Sequence, residues 1–274
     1  MATHSLLAVL AHPDDEVHIG GLLAHLAESG ADVTLLCATR GEMGKVHASL
    51  GEVRDVAALR SEELRLSCAR LGIAEPRFLP FHDSGRGDRL QRDDPKALAN
   101  ADMLAVESAI VEVIKELTPS AIVTHDPHGW YYHPDHVALQ QATAAAFFAS
   151  GVMGCAAPAR LFYATMERAT LVRFMADSGP RAPGAGLDPD VFGSAPGSIA
   201  LTFDARAYVD RKFAAMAAHR SAFGLTEETL RSPTPDVVPM LRAFRPVFEQ
   251  ESYLLGGVRG AIQHWPLREV FDGM

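Results

Sequence analysis

The stretch Ala11-His12-Pro13-Asp14-Asp15-Glu16 follows a continuous apolar run at residues 6–10, and this junction sets the interpretation of the whole chain. A run that is apolar without alternation is typical of a parallel strand buried on both faces. One imidazole and three carboxylates directly after such a strand need a cation, a proton or water beside them, because isolated buried charges are costly. His12 and Asp15 are spaced so that one turn brings a nitrogen and an oxygen to a single point. Such a mixed pair suits a borderline divalent metal such as zinc.

Strand-like and helix-like segments alternate after this junction. Helices are predicted at residues 17–29, 55–71, 101–117 and 137–149, and further strands at 33–38, 76–81, 121–124 and 160–165. The alternation predicts a Rossmann-like α/β fold, with a doubly wound, mostly parallel sheet and helices on both faces. In the usual strand order of such a sheet, the first and fourth strands are neighbours at the switch point where ligands bind. A third metal ligand is therefore expected in the loop after Thr124.

The loop at residues 125–136 fits that expectation, since it holds four histidines and two aspartates in twelve residues. Its last four residues, His133-Pro134-Asp135-His136, are expected on the first turn of the following helix. Two separate His-Pro-Asp sequences are thus predicted to meet at one edge of the sheet. The earlier polar residues His125, Asp126 and His128 are more typical of residues that fix a loop than of metal ligands.

The whole chain, residues 1–274, is interpreted as one domain, with a Rossmann-like core at 1–165 and an irregular C-terminal extension at 166–274. Within the extension, residues 178–198 hold five glycines and four prolines and predict a long flap. Shorter elements are expected further on: a strand at 199–203, a helix at 206–221 and an edge strand at 251–255. Residues 225–246 contain too many prolines for one helix.

Composition narrows the class of protein. The formal net charge of −9 argues against an obligate nucleic-acid partner, because phosphate binding needs a basic face. The scattered cysteines Cys37, Cys68 and Cys155 lie among apolar residues, which predicts small core residues in a reducing compartment. The first apolar run is too short for a signal-peptide core or a membrane span. A soluble cytoplasmic protein without a membrane span is therefore expected, and homo-oligomerisation is left open.

The two histidine motifs, at residues 11–16 and 133–136, resemble those of the LmbE-like, or phosphatidylinositol-glycan class L (PIG-L), N-deacetylases. Thr39-Arg40-Gly41-Glu42, the segment 60–72 and Asp83-Ser84-Gly85 add to this resemblance, which covers about residues 5–150. It implies a zinc-dependent hydrolase that removes an acyl group, expected to be acetyl, from the amide nitrogen of an N-acetylglucosamine-type sugar or glycoconjugate. One Zn²⁺ per chain is implied, although other divalent metals accept the same ligand types.

The resemblance also implies roles for individual residues. The implied metal ligands are His12, Asp15 and His136, two imidazoles and a carboxylate that leave one coordination position open. Asp14 resembles the general base that takes a proton from the attacking water. Glu16 is interpreted as structural.

Other side chains resemble residues that act on the substrate. His133 resembles a histidine that stabilises negative charge in the tetrahedral intermediate, and Tyr131 resembles a tyrosine that swings over the site. Asp135 is expected to orient an imidazole such as that of His133. Arg60 and Asp83 resemble residues that contact sugar hydroxyls.

Several alternatives stay open. The same motifs suit an amidase that cleaves a thiol conjugate or another small amide, and a metal-binding subunit that has lost catalysis. A nucleotide-binding dehydrogenase or methyltransferase would share the sheet, but its Gly-rich turn after the first strand is replaced here by the acidic residues up to Glu16. For Asp14 the alternative role is a helix N-cap, which is compatible with a general base. For Arg60 it is simple pairing with Glu63.

Overall fold

The computed structural model describes residues 4–152, 154, 157–178, 186 and 188–274. The strands in this part of the chain are β1 (Ser5–Leu10), β2 (Asp32–Cys37), β3 (Arg77–Phe78), β4 (Ala121–His125), β5 (Arg160–Thr165), β6 (Leu201–Asp204) and β7 (Gln250–Val258). They form one sheet in the order β3-β2-β1-β4-β5-β7-β6. The first five strands run parallel, and β7 and β6 add antiparallel pairs.

Helices connect these strands. In the described residues they are α1 (Gly20–Glu28), α2 (Val56–Leu71), α3 (Met103–Leu117), α4 (Gly129–Tyr132), α5 (Pro134–Val152), α6 (Arg168–Ser178), α7 (Pro189–Phe192), α8 (Val209–Ala218), α9 (Arg220–Phe223), α10 (Glu227–Arg231) and α11 (Val238–Glu249). None of them is both long and apolar enough to cross a bilayer.

Both faces of the sheet are buried under helices. Along β1, Leu6 and Ala8 belong to a core shared with α1, α2, α8 and α11, whereas Leu7 and Val9 belong to a second core shared with α3 and α5. This alternation follows from the two-residue period of a strand, and it explains why the run is apolar at every position. The predicted mostly parallel, doubly wound α/β fold is confirmed.

The switch point also lies where the strand count put it. β1 pairs with β2 on one side and with β4 on the other, where Leu6 is opposite Ala121 and Ala8 opposite Val123. The loops that leave the carboxyl ends of β1 and β4 therefore start side by side. These two loops carry the histidine motifs.

Two predicted helices are interrupted in the structure. The segment predicted at 17–29 begins as a 3-10 turn, Asp15–His18, and α1 starts only at Gly20 because Ile19 has non-helical backbone angles. The segment predicted at 206–221 divides at His219 into α8 and α9. Within the predicted flap, residues 179–185 and 187 lie outside the described residues, as does Cys155.

The prediction that residues 251–255 form an edge strand is wrong. These residues belong to β7, which lies between β5 and β6, and Tyr253 is fully buried. The Glu251 carboxylate is buried and accepts hydrogen bonds from the backbone N–H groups of Gly21 and Leu22 at 2.8 and 3.0 Å. Its polar character therefore serves to bind the first turn of α1 rather than to face solvent.

Candidate metal centre

The loop after β1 is a tight turn held by its own carboxylates. Asp14 has a positive φ of 109°, which is uncommon for a residue with a side chain. The Asp14 N–H donates to Glu16 Oε2 at 3.0 Å, and the His12 N–H donates to Asp15 Oδ2 at 2.8 Å. These two hydrogen bonds hold the backbone of the turn in its strained conformation, and such strain is common at functional sites.

Three of the sequence-predicted residues converge across the switch point. His12 Nδ1 lies 3.2 Å from His136 Nε2 and 3.6 Å from Asp15 Oδ2, and His136 Nε2 lies 3.4 Å from Asp15 Oδ1. All three side chains are buried. Ligand atoms that share one tetrahedral metal at about 2.0–2.2 Å lie roughly 3.3–3.6 Å from one another. We call these three residues the ligand cluster.

The hydrogen bonds around the ligand cluster direct two lone pairs toward each other. His12 Nε2 faces Asp135 Oδ2 at 3.0 Å and Asp83 Oδ1 at 3.5 Å, so Nε2 carries the hydrogen and Nδ1 is an acceptor. His136 Nδ1 lies 3.2 Å from the carbonyl oxygen of Gly129, so His136 Nε2 is an acceptor as well. When both imidazoles are neutral, two acceptor nitrogens face each other, and either a proton or a metal cation between them removes the repulsion. The residues present therefore fit a divalent metal.

The surrounding charges also favour a cation. Burial lowers the pKa of His12, but the carboxylates of Asp83 and Asp135 raise it to well above its usual value. Burial raises the pKa of Asp15, but the imidazoles of His136 and His12 bring it to well below its usual value. The site thus stabilises one positive charge beside an ionised carboxylate, which is what a metal ion supplies.

His125 lies next to the ligand cluster, close enough to Asp15 and His136 to share a metal with them, but its Nε2 is engaged by the backbone. Its Nε2 accepts a hydrogen bond from the Ala11 N–H at 3.0 Å, and its ring stacks on that of His136 at 3.9 Å between centroids. Asp126 accepts hydrogen bonds from the Trp130 N–H and the Thr165 hydroxyl. These residues fix the loop after β4.

Asp14 is held by an arginine rather than by the ligand cluster. Its Oδ2 accepts a hydrogen bond from Arg60 Nη2 at 2.6 Å, and the same guanidinium donates to the carbonyl oxygens of Gly41 and Pro13 at 2.9 and 3.2 Å. Burial raises the pKa of Asp14, although Arg60 opposes the shift. A carboxylate that is ionised but more basic than usual suits a general base.

A second network lies beneath the same turn, and sequence reasoning missed it. Glu16 Oε1 accepts hydrogen bonds from the Ser67 hydroxyl and from His219 Nε2, which is 2.6 Å away. All three side chains are buried. Since Glu16 also holds the Asp14 amide, His219 and Ser67 support the turn through it. The sequence signals for His219 were its place near the end of the helix predicted at 206–221 and a faint resemblance to the family there, and neither assigned it a role.

The two residues expected to contact sugar hydroxyls are engaged within the protein. Arg60 is 6% exposed and Asp83 is 4% exposed. Asp83 accepts hydrogen bonds from the backbone N–H groups of Met43 and Gly85, and it faces His12. Arg60 thus contacts Asp14, and Asp83 contacts His12. Their contact with sugar hydroxyls stays a prediction.

Asp135 differs in detail from the expectation that it orients an imidazole such as that of His133. Its carboxylate bonds His12 and the Ser84 N–H, and only its backbone N–H reaches His133 Nδ1, at 3.3 Å. That bond makes His133 Nδ1 an acceptor and leaves its Nε2 to carry the hydrogen. Burial, with His12 and His136 beside it, lowers the pKa of His133 to about 2.

The loop that carries Tyr131 is anchored on both sides. Trp130 has a positive φ of 57°, and its indole N–H donates to the Ala164 carbonyl oxygen at 2.8 Å. The Tyr131 ring lies 5.4 Å from the His136 ring and 6.0 Å from the His133 ring, measured between centroids, and Arg86 lies over its other side. Burial raises the pKa of Tyr131 above its usual value, so its hydroxyl is a donor. The predicted residues Tyr131, His133 and His136 thus meet around one point.

Comparison with known proteins gives the family. A family model described as GlcNAc-PI de-N-acetylase (PIG-L) matches residues 7–147. A 1D-myo-inositol 2-acetamido-2-deoxy-alpha-D-glucopyranoside deacetylase of Rhodococcus jostii (strain RHA1) is 35% identical to this chain. The alignment is 283 residues long with its gaps, and it covers 95% of this chain and 94% of the relative.

Solved structures agree on the fold. The N,N'-diacetylchitobiose deacetylase from Pyrococcus horikoshii has a TM-score of 0.60 at 19% identity, over 93% of this chain and 84% of that chain. GalB, the 4-carboxy-2-hydroxymuconate hydratase from Pseudomonas putida KT2440, also has a TM-score of 0.60, at 20% identity, over 96% of this chain and all 100% of that chain. At these identities the likeness shows the fold alone, and the hydratase illustrates that one fold carries different chemistries.

The sequence relatives decide what the fold leaves open. The family match spans both histidine motifs, and the alignment with the Rhodococcus deacetylase spans nearly the whole chain. The predicted resemblance and the predicted class of enzyme, a deacetylase, are both confirmed. This chain belongs to the GlcNAc-PI de-N-acetylase (PIG-L) family.

Proposed function

We propose that this chain is a zinc-dependent N-deacetylase that hydrolyses the acetamido group of an N-acetylglucosamine-type sugar or glycoconjugate. The sequence relatives support the substrate class, since they are named as deacetylases of a 2-acetamido sugar. The buried free thiols of Cys37 and Cys68 support a reducing, cytoplasmic location as part of the same proposal.

One observation carries the proposal. The nitrogens of His12 and His136 lie 3.2 Å apart, and each lies 3.4–3.6 Å from one of the two carboxylate oxygens of Asp15, which is close to the spacing of ligands around one tetrahedral metal. These residues would hold one metal ion per chain and leave one coordination position for water or substrate. When bound, the ion supplies Lewis-acid chemistry, which polarises an amide carbonyl and makes water more acidic. Two imidazoles with one carboxylate are typical of catalytic zinc.

Asp14 would accept the proton of the attacking water. Its neighbour Asp15 belongs to the ligand cluster, which leaves the Asp14 carboxylate free for proton transfer. The contact with Arg60 fixes one of its oxygens, Oδ2, and the bond from its own N–H to Glu16 fixes its backbone. A base held in this way loses little freedom in the transition state.

His133 and Tyr131 would stabilise the charge that develops on the amide oxygen. His133 Nε2 carries a hydrogen, and the Tyr131 hydroxyl is a donor beside the same rings. Two fixed donors in a buried site stabilise a tetrahedral intermediate more than water does. The amine then leaves after protonation, and the acid product keeps the oxygen taken from water.

Metal analysis and a substrate screen test the proposal together. Protein purified without added metal is expected to carry about one zinc ion per chain. His12→Ala, Asp15→Ala and His136→Ala variants are expected to lose it, whereas a His264→Ala variant, changed at an exposed histidine, is expected to retain it. Full metal content in all three ligand variants would refute the site.

The screen measures amine release from two sets of substrates, acetamido sugars and thiol-conjugate amides. Release from the sugars supports the deacetylase. Release from the conjugates alone would identify an amidase of the same site, and a loaded protein that releases no amine from either set would identify a metal-binding subunit without catalysis. The ionised, well-held Asp14 argues against that last outcome.

A further inference from the structure

An apolar cavity of about 160 Å³ adjoins the proposed active site. Its lining includes Asp14 and Asp15 together with apolar side chains from the C-terminal half of the chain. Among these are Leu171, Phe174, Phe192, Phe223, Phe244 and Val247. An acetyl group, with one methyl, needs only a small part of this volume, since an apolar cavity of about 150 Å³ holds a benzene ring.

Two carboxylates in the cavity wall, those of Glu251 and Asp126, are already satisfied by the protein, and Glu167, Thr170, Gln250 and Ser252 are also polar parts of the lining. Glu251 accepts hydrogen bonds from two backbone amides, a lysine and a tyrosine. Asp126 accepts from the Thr165 hydroxyl and a backbone amide. His18 packs against Trp130, and burial lowers the pKa of its imidazole to about 4, so it is uncharged near neutral pH. The two carboxylates are therefore engaged within the protein, and the apolar side chains that α6 and α11 add to the wall suit a hydrocarbon group better than sugar hydroxyls.

The position of the cavity selects the part of the substrate that enters it. The reacting carbonyl carbon has to lie within reach of Asp14, which lines the cavity. The acyl chain is bonded directly to that carbon, whereas the aglycone is separated from it by the sugar ring. Arg60 and Asp83, which are expected to contact the sugar, do not line the cavity. The acyl chain is thus the apolar part of the substrate that lies nearest to the cavity.

We propose that this cavity binds the acyl chain of the substrate, and that the enzyme hydrolyses, besides N-acetyl sugars, N-acyl amino sugars with chains of about four to six carbons, which it prefers. The inference rests on the proposed deacylase function and specifies its acyl group. The reaction is a simple hydrolysis, in which water adds to the carbonyl, the C–N bond breaks, and the free amino sugar and the carboxylic acid are released.

A chain-length series tests the inference. Initial rates of amine release are measured for N-acetyl-, N-butanoyl- and N-hexanoyl-glucosamine, with the metal-loaded full chain. Each buried methylene is expected to raise kcat/KM about fourfold, so hexanoyl is expected to exceed acetyl by at least about tenfold. Amine release is also measured for an octyl glycoside of N-acetylglucosamine, whose hydrocarbon chain is on the aglycone rather than on the acyl group.

Substitutions in the cavity wall test whether the preference for longer acyl chains arises there. Leu171 is half-buried on α6, and Leu171→Trp fills part of the cavity, so the ratio of hexanoyl to acetyl kcat/KM is expected to fall at least about fivefold. Val172 is the next residue on the same helix and is 41% exposed, so it is the matched control. Val172→Trp is expected to leave the ratio within about twofold of wild type.

Binding gives a readout that does not depend on turnover. The Asp14→Asn variant is titrated calorimetrically with N-hexanoyl- and N-acetyl-glucosamine, and the hexanoyl compound is expected to bind at least about tenfold more tightly. If both are hydrolysed but hexanoyl shows no advantage, the acyl cavity is wrong while the deacetylase stands. An advantage for the octyl glycoside alone assigns the cavity to the aglycone and overturns the inference. If no compound releases amine, the deacylase proposal fails, and equal binding of the two compounds then overturns the acyl cavity as well.

Discussion

The buried Glu251 carboxylate gives the most quantitative prediction. It accepts four hydrogen bonds, from the backbone N–H groups of Gly21 and Leu22, from Lys212 Nζ at 2.5 Å and from the Tyr253 hydroxyl at 2.8 Å. A Glu251→Gln substitution keeps the shape but removes the charge and replaces one acceptor oxygen with a donor group. Whichever way the amide turns, at least one backbone N–H at the start of α1 faces a donor.

Two costs follow from this change. Leaving Lys212 buried without its counter-charge costs about 3–5 kcal/mol, and one unpaired backbone donor costs about 1–3 kcal/mol. Since the two sites share a network, we expect a loss of unfolding free energy of about 4 kcal/mol rather than the full sum. At roughly 2–4 °C per kcal/mol for a chain of this size, the melting temperature is expected to fall by about 8–16 °C.

The pH dependence of the variant has a definite sign. Burial lowers the pKa of Lys212, and Glu251 opposes that shift in the wild type. Without the carboxylate, the folded state binds the lysine proton less well than the unfolded state, whose lysine pKa is about 10.4. Stability then rises with pH between the folded and unfolded pKa values, so the deficit is largest at low pH and shrinks as pH rises toward 10.4.

Thermal unfolding at several pH values measures both effects. Glu249→Gln is the matched control, because Glu249 is close in sequence and its exposed carboxylate lies 3.8 Å from Arg245. It is expected to change the unfolding free energy by less than about 0.5 kcal/mol. A Glu251→Gln variant as stable as this control would refute the view that Glu251 joins β7, α1 and α8.

Three further substitutions address the active site. Glu16→Ala removes the acceptor of the Asp14 amide, so kcat is expected to fall at least about tenfold in steady-state assays while metal content stays normal; unchanged kcat would contradict the positioning role. Arg60→Lys keeps the charge but cannot bond Asp14 and two carbonyl groups at once, and about a tenfold loss of kcat is expected, with wild-type turnover as the opposing result. Trp130→Phe loses the bond to the Ala164 carbonyl oxygen and is expected to cost about 1 kcal/mol in chemical denaturation; no measurable change would show that this bond does not anchor the loop.

The parts of the site that follow from strand order were predictable. Continuous apolar runs identified β1 and β4, and the usual order of a doubly wound sheet made them neighbours. The loops that leave these strands had to meet, which brought His136 to His12 across more than one hundred residues of chain. No knowledge of side-chain geometry was needed for that step.

The parts that depend on side-chain direction were not predictable. Asp135 was expected to orient an imidazole such as that of His133, yet its carboxylate bonds His12, because side chains two residues apart at the start of a helix do not face each other. Glu251 was expected in an edge strand, but a sequence does not show the partners that satisfy its carboxylate. The apolar cavity was also invisible, since it arises where α6 and α11 dock beside the sheet, and periodicity alone does not fix docking.

The central claim is that the ligand cluster holds a catalytic metal while Asp14 moves the proton. The most direct measurement is the rate of amine release by an Asp14→Asn variant whose zinc content has been determined in the same sample. We expect wild-type zinc content and a loss of turnover of about a hundredfold or more, because the amide cannot accept a proton. Zinc retained with turnover within tenfold of wild type would contradict the account.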